Sequence, residues 1–246
     1  MTDAHPGALS GDLPEGDLPE GTLRSPNIWG SPQVYEIENR AVDRAGVILA
    51  LMRTLASWTD RDLLDVGCGT GFHLPIFAED ARTVTGVEPH PDLLAIARRR
   101  TRRIAHVDVI QGSATDLPLA DHSVDVVHAR WAYFFGPGCE PGLAELDRVV
   151  RPGGSAFVID NDPSRSTFGS WFRRGYPDRD HAAVVDFWLA HGWKRHPLEM
   201  AWTFDDRADL EAVLGIEFPS AVVAEILAEH HGTSVDYALD VWSKQW

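Results

Sequence analysis

Leu63-Leu64-Asp65-Val66-Gly67-Cys68-Gly69-Thr70-Gly71 is the stretch that decides the fold. A short apolar run ends in an acid and passes into a loop with glycine at every second position. Such a loop turns tightly from strand to helix, because glycine accepts φ > 0 and leaves room for a ligand to touch the main chain. The spacing is G-x-G-x-G, whereas loops that seat a pyrophosphate read G-x-G-x-x-G. An acid at the strand end repels phosphate and suits a cationic or amino-bearing ligand.

Outward from this loop, apolar strands and helices alternate. The pattern predicts a strand at 62–66, a helix at 72–79 and a strand at 82–88. A helix at 91–103 and strands at 107–111 and 124–129 follow. A helix at 141–150 ends at Arg151-Pro152-Gly153-Gly154, which turns into a strand at 155–160. Alternation of this length implies right-handed crossovers and a parallel sheet. Upstream, Ser31-Pro32 starts a helix, with serine as cap and proline in the first turn. Val34, Ile37, Ala41, Ala45, Ile48, Met52 and Leu55 recur at three- and four-residue steps, the face of one long amphipathic helix. Downstream, residues 165–191 read as helical and aromatic. A strand near 195–204, helices around 206–214 and 219–230, and an alternating last strand at 235–242 complete the chain.

Composition narrows the function classes. With 246 residues, 44% of them hydrophobic, the chain can bury one substantial core. No apolar run approaches the roughly 18 residues that span a bilayer, and no secretory signal is visible, so a cytoplasmic location is expected. Cys68 and Cys139 stand far apart and give neither a disulfide framework nor metal-ligand spacing. The net charge is −15, which disfavours nucleic acid and anionic membranes as partners. The basic run Arg98-Arg99-Arg100 with Arg102-Arg103 reads as the exposed C-terminal end of a helix. Residues 1–24 carry −4 of the charge in a Gly/Pro/acid-rich stretch with a tandem Gly-Asp-Leu-Pro-Glu repeat, read as a disordered tail. Residues 25–246 then form one domain: an N-terminal helix or lid at 25–58, a ligand-binding core at 60–160, and acceptor-side helices with the last two strands at 161–246.

Further signs follow the glycine loop at regular intervals. Thr85-Gly86-Val87-Glu88-Pro89 is a second apolar strand ending in an acid, and Gln111-Gly112-Ser113-Ala114-Thr115-Asp116 follows the third. Ser123-Val124-Asp125-Val126-Val127-His128-Ala129-Arg130 and Glu145-Leu146-Asp147-Arg148-Val149-Val150-Arg151-Pro152-Gly153-Gly154 complete the set. Together these motifs resemble class I S-adenosylmethionine-dependent methyltransferases, in the small-molecule branch called type 11, over about residues 60–160. The resemblance implies a Rossmann-like, doubly wound α/β fold with a seven-stranded, mostly parallel sheet and one antiparallel strand near its edge. It implies S-adenosyl-L-methionine as cofactor. Asp65, Gly67, Gly69 and Gly71 form the first motif, with Asp65, Gly67 and Gly69 near the methionine moiety. Glu88 then meets the ribose hydroxyls, and Ser113 and Ala114 the adenine. Ser113 is a departure, since the family often has an acid there, and a neutral hydroxyl accepts more weakly.

The implied reaction is methyl transfer by in-line displacement to a small, aromatic or apolar acceptor, by a monomer or homodimer. Relatives often carry a histidine pair after the fourth strand. Phe134 and Phe135 stand at the comparable places and imply an apolar floor. His128 and Tyr133 are the candidates for an acid/base role. Asp160-Asn161-Asp162 offers two carboxylates but no visible third ligand, so no metal is assigned. Trp29 and Tyr35 are candidates for a lid, and Trp171, Phe172, Trp188, Trp193 and Trp202 for either core or an acceptor wall. Two other functions share these features: an NAD-linked oxidoreductase, and a non-catalytic module that binds S-adenosylmethionine.

Overall fold

The computed structural model describes residues 18–246 and places β1 (Asp62–Val66) in the middle of a seven-stranded sheet. The other strands are β2 (Thr83–Glu88), β3 (Val107–Gln111), β4 (Val124–Arg130), β5 (Val150–Asn161), β6 (Lys194–Thr203) and β7 (Ser234–Gln245). Their order is β3-β2-β1-β4-β5-β7-β6. The first five pair in parallel, and β7 runs antiparallel to both β5 and β6. This is the mostly parallel sheet with one reversed strand that the motifs implied.

The chain winds outward from β1 in two directions, through β2 and β3 on one side and β4 and β5 on the other. The carboxyl ends of β1 and β4 therefore flank a topological switch point, where crossovers diverge and leave a crevice. Successive residues of β1 point to opposite faces: Leu63 joins one apolar cluster and Leu64 the other. Both layers are filled by helices. These are α1 (Pro26–Gly30), α2 (Pro32–Val42), α3 (Val47–Leu55), α4 (Leu74–Phe77), α5 (Pro91–Thr101), α6 (Glu140–Val149), α7 (Thr167–Gly175), α8 (His181–Ala190), α9 (Arg207–Glu217) and α10 (Ser220–Glu229).

One expectation is corrected, a second is borne out with added contacts, and a third that was left open is decided. The single long helix from Ser31 is two helices, because the chain turns at 43–46. Asp43 leaves helical geometry and its carboxylate takes the amide hydrogens of Val47 and Ile48 at 2.7 and 3.0 Å, while Gly46 sits at φ +68°. The basic run lies at the C-terminal end of α5 as expected, with Arg98, Arg99, Arg102 and Arg103 exposed. Arg98 reaches back to the Val109 carbonyl at 2.9 Å, and Arg100 bonds Glu36 at 2.7 Å, tying α5 to β3 and to α2. Trp171, Trp188, Trp193 and Trp202 are at most 2% exposed and belong to the core, leaving Phe172 of that aromatic set at a cavity.

Residues 1–17 of the expected tail lie outside the described residues. Residues 18–24 are placed against the sheet: the Ser113 hydroxyl donates to the Glu20 carbonyl at 2.9 Å, and Gly21 lies on Thr115. Among the described residues, no helix is long and apolar enough to cross a membrane.

Candidate active site

The sharp turn after β1 is held from the next strand. The amides of Gly67 and Cys68 both donate to the Val87 carbonyl, at 2.8 and 3.1 Å. Gly67 and Gly69 take φ of +69° and +56°, in the left-handed region. A Cβ on Gly67 would overlap that of Ala132, and one on Gly69 would come within 2.8 Å of Ile28 Cδ1. Bare backbone is therefore what lets this loop fit beneath its neighbours and beside a cavity. Gly71 is set apart from that cavity: it faces Ala97, whose Cα is 3.1 Å from where its Cβ would be, and so seats the loop on α5.

Glu88 reaches across to the same loop. Its Oε2 accepts from the Gly69 amide at 2.9 Å and its Oε1 from the His90 amide at 3.0 Å. It is only 4% exposed, and burial pushes its carboxyl up to about 7 against the pull of those two amides. Asp65 is equally hidden at 2% exposed, and its Oδ1 lies 2.7 Å from His128 Nδ1. The His128 ring packs at a tilt against His73 and Phe77, at 5.2 and 5.0 Å.

These groups line one cavity, which spans the carboxyl edge of the sheet from the loop after β3 to the start of β7. Ser113 and Ala114 border it at the β3 end, as does the segment 21–25. The Ser113 hydroxyl already donates to Glu20 and faces Thr115 Oγ1 at 3.0 Å, so it is partly committed within the protein. Asp116 closes a turn, donating its amide to the Ser113 carbonyl at 3.3 Å. Trp29 borders the cavity as well, its ring 4.8 Å from that of His90.

The β4–α6 loop forms the floor. Trp131 and Tyr133 hold φ of +50° and +49°, a strained backbone of the kind that clusters at binding sites. Tyr133 touches the cavity but leans on Gly142, and burial raises its phenol further, so it stays protonated at neutral pH. Phe135 lines the floor, whereas Phe134 is 1% exposed and belongs to the core, which corrects the paired floor expected from the sequence.

Beyond the glycine loop the wall turns polar. Arg130 donates to the neutral Asn39 Oδ1, and burial draws its guanidinium down from the usual value. Asp160 pairs with Arg179 at 3.0 Å. Tyr35, Glu38, Glu217 and Tyr237 close this end. The sequence marks Tyr35 as a lid candidate and Glu38 only as part of the 25–58 helix or lid, and Glu217 carries no signal at all. Asp162 is held elsewhere, in ion pairs with Arg165 and Arg195 at 2.8 and 3.2 Å. His181 and Asp240 join it, so three groups of ligand type do meet there, with two guanidiniums as countercharge.

The stretch of sequence that carries this acid, glycine loop and second acid matches a known domain. The family model described as "Methyltransferase domain" matches residues 64–158. The chain belongs to the class I, S-adenosylmethionine-dependent methyltransferases. A probable S-adenosylmethionine-dependent methyltransferase of Mycolicibacterium smegmatis is 32% identical over 177 residues, 72% of this chain and 62% of that protein. The ubiquinone/menaquinone biosynthesis C-methyltransferase UbiE of Rubrivivax gelatinosus is 33% identical over 125 residues, 51% of this chain and 47% of its own length. The chain thus spans about two-fifths to three-fifths of the length of the curated relatives it matches. The YcgJ protein of Bacillus subtilis shares the fold with a TM-score of 0.59 at 18% identity, covering 80% of this chain and 98% of that one.

S-adenosylmethionine is the cofactor of this family, and the cavity of this methyltransferase fits it. Gly67 and Gly69 present bare backbone along the cavity. Each Glu88 oxygen accepts one amide and keeps a lone pair for a hydroxyl donor, and the Arg130 guanidinium donates to the neutral Asn39 amide oxygen.

Proposed function

We propose that this protein transfers the methyl group of S-adenosyl-L-methionine to a small aromatic or apolar molecule bound at the β5–β7 end of the cavity. The observation that carries the reading is one continuous cavity with the buried Glu88 beside the glycine loop at one end and Phe135, Phe172 and Tyr35 along the other. Glu88, beside the glycine loop, suits the ribose diol. Asp65, held by His128, suits the amino group of the methionine end, and Arg130 suits its carboxylate. Gly67 and Gly69 let the ligand lie on the backbone, while Ser113 and Ala114 border the adenine space. Gly71 supports the loop from behind. The NAD-linked alternative fits less well, because Asp65 sits where a pyrophosphate would need donors.

Bound S-adenosylmethionine supplies an electrophilic methyl carbon on a sulfonium. The chain's own part is to hold an acceptor in line with that carbon, a positioning effect that can supply much of the acceleration. Phe135, Phe172 and Tyr35 wall the acceptor space, and Arg179 lies over the Phe135 ring at 5.4 Å, fixing that wall. His128 is engaged with Asp65 and acts as its positioning residue. Incubation with methyl-labelled cofactor and a panel of small phenols, aromatic amines and quinols tests the activity. Label should pass to at least one acceptor with release of one S-adenosylhomocysteine per methyl. Binding of the cofactor with no transfer to any of them would favour the non-catalytic module instead.

Two further results are expected at the cofactor end. Hydroxyl donors favour the carboxylate of Glu88, whose free-state value of about 7 lies above the ordinary range. Binding must then release a proton at acid pH, so affinity for S-adenosylhomocysteine should rise about tenfold per pH unit up to about 7 and level off above it. The apo protein should show the opposite trend, losing stability as pH rises from the ordinary carboxylate range towards 7, because the folded state binds the extra proton. Calorimetry across pH 5.5 to 8 checks the first slope, which should vanish in Glu88→Gln.

Deleting residues 1–17 should leave cofactor affinity unchanged. Deleting residues 1–24 removes Glu20 and the 21–24 wall, and should weaken it by about tenfold, the value of one hydrogen-bonded and apolar cover. Equal affinities for the two truncations would show that the segment is not part of the site.

A further inference from the structure

One wall of the cavity is much more lightly attached than the others. Residues 18–30 run from the β3 end of the sheet to the start of α2, and the cavity is lined by 21–25 together with Asn27, Ile28 and Trp29. Within this segment, α1 stands over the groups assigned to the cofactor. Ile28 packs on the glycine loop, its Cδ1 2.8 Å from where a Cβ on Gly69 would be. The Trp29 ring is 4.8 Å from that of His90, two residues beyond Glu88. A ligand that lies on the loop with its diol at Glu88 is therefore covered by α1.

Little holds this cover down. Among the described residues, three hydrogen bonds tie it to distant parts of the chain, each through a side chain and none through backbone pairing. At its start, the Ser113 and Thr115 hydroxyls donate to the Glu20 carbonyl at 2.9 and 3.2 Å. Near its end, Asn27 Nδ2 donates to Glu217 Oε1 at 2.6 Å. Asn27 is braced for that bond, since its Oδ1 accepts from the Ile28 amide at 2.8 Å and from the Ser25 hydroxyl at 3.0 Å. Ile28 is buried, whereas Leu23 is 52% exposed.

The segment also has a joint behind it. Gly30 is exposed, with nothing within 4 Å of where its Cβ would be. Ser31 then leaves helical geometry, at φ −144° and ψ 59°, before α2 begins. Meanwhile the Thr22 amide and hydroxyl both donate to the Pro19 carbonyl, so the start of the segment keeps a turn of its own. A piece with few outside bonds and an open joint opens at a far smaller cost than the fold as a whole.

We propose that residues 18–30 are a lid that swings between Gly30 and Ser31 to admit the cofactor and release its product, with the Asn27–Glu217 hydrogen bond as latch. This rests on the methyltransferase reading above and adds the route into its cofactor site. Glu217 also lines the β5–β7 end, so closing the lid over one ligand completes a wall facing the other.

The test uses the full-length protein, with Asn27→Ala removing the latch and Thr115→Val loosening the opposite end of the segment. Trypsin cleavage after Arg24, read by intact mass, reports opening, because the protease acts on the transiently opened form. Stopped-flow fluorescence reads association and dissociation of S-adenosylhomocysteine. Without ligand, each variant should be cut about tenfold faster than the wild type, the value of roughly one hydrogen bond. Saturating S-adenosylhomocysteine should slow cutting of the wild type by about tenfold or more. Association and dissociation should both quicken in the variants, since each passes through the open state. A fixed wall behaves differently: a lost contact speeds dissociation and leaves association unchanged. Unchanged association, cutting that neither variant accelerates, or cutting that bound S-adenosylhomocysteine does not slow would each overturn the inference. Melting temperatures within about two degrees of the wild type confirm folding, and the variants lie at opposite ends of the segment, so either one carries the test. Faster cutting in the variants with no binding of S-adenosylhomocysteine would sink the cofactor reading and leave the hinged segment standing.

Discussion

Glu88→Ala should weaken binding of S-adenosylmethionine and S-adenosylhomocysteine by about a hundredfold. The carboxylate would hold both ribose hydroxyls, and hydrogen bonds to a charged group contribute roughly 1.5–3 kcal/mol each. It also accepts the Gly69 and His90 amides, so its loss frees the glycine loop on the side where the ligand lies. The effect on folding should be smaller. Removing Glu88 also removes a buried carboxyl that is penalised whenever it ionises. Calorimetric titration of the variant, beside a thermal melt, separates the two. Unchanged affinity in a folded variant would take Glu88 out of the site.

Gly67→Ala should be comparably damaging, for a different reason. At φ +69° a side chain costs about 1–2 kcal/mol. The new Cβ would also overlap Ala132 Cβ, which belongs to a short, backbone-attached group that cannot swing aside. The Trp131–Tyr133 segment is already strained, so the relief available there is small. The expected outcome is a melting temperature lowered by several degrees and cofactor affinity down about a hundredfold. Gly71→Ala also strains its backbone, at φ +74°, but presses on α5 rather than on the cavity. Its loss should therefore appear more in stability than in affinity. If both variants lost affinity equally at equal stability, the distinction between a lining and a supporting glycine would fall.

Much of this architecture is legible in the chain because strands of a covered parallel sheet announce themselves locally. Leu63-Leu64-Asp65-Val66 and Val124-Asp125-Val126-Val127 are short, apolar and closed by turn residues, and both are strands where the sequence put them. The break between α2 and α3 was hidden, since Ala45 and Ile48 continue the apolar phase across it. Only the Asp43 side chain, capping the next helix, reveals the turn. The ordering of residues 18–24 was hidden for a tertiary reason: the segment is stabilised by Ser113 and Thr115, far away in sequence. Glu38 and Glu217 were least visible. They sit on helices with ordinary polar neighbours, and their burial exists only once α2 meets α9. The fold and the glycine-loop end of the cavity follow from motifs, whereas the β5–β7 end is built by parts of the chain that share no motif.

The cavity above the Gly67–Gly69 loop is proposed as an S-adenosylmethionine site. Calorimetric titration of the wild-type protein with S-adenosylhomocysteine, and separately with NAD at the same concentrations, tests it most directly. Saturable one-to-one binding of the adenosyl ligand, a silent NAD titration, and a hundredfold loss in Glu88→Ala are the results expected. NAD binding with no response to S-adenosylhomocysteine or S-adenosylmethionine would contradict it.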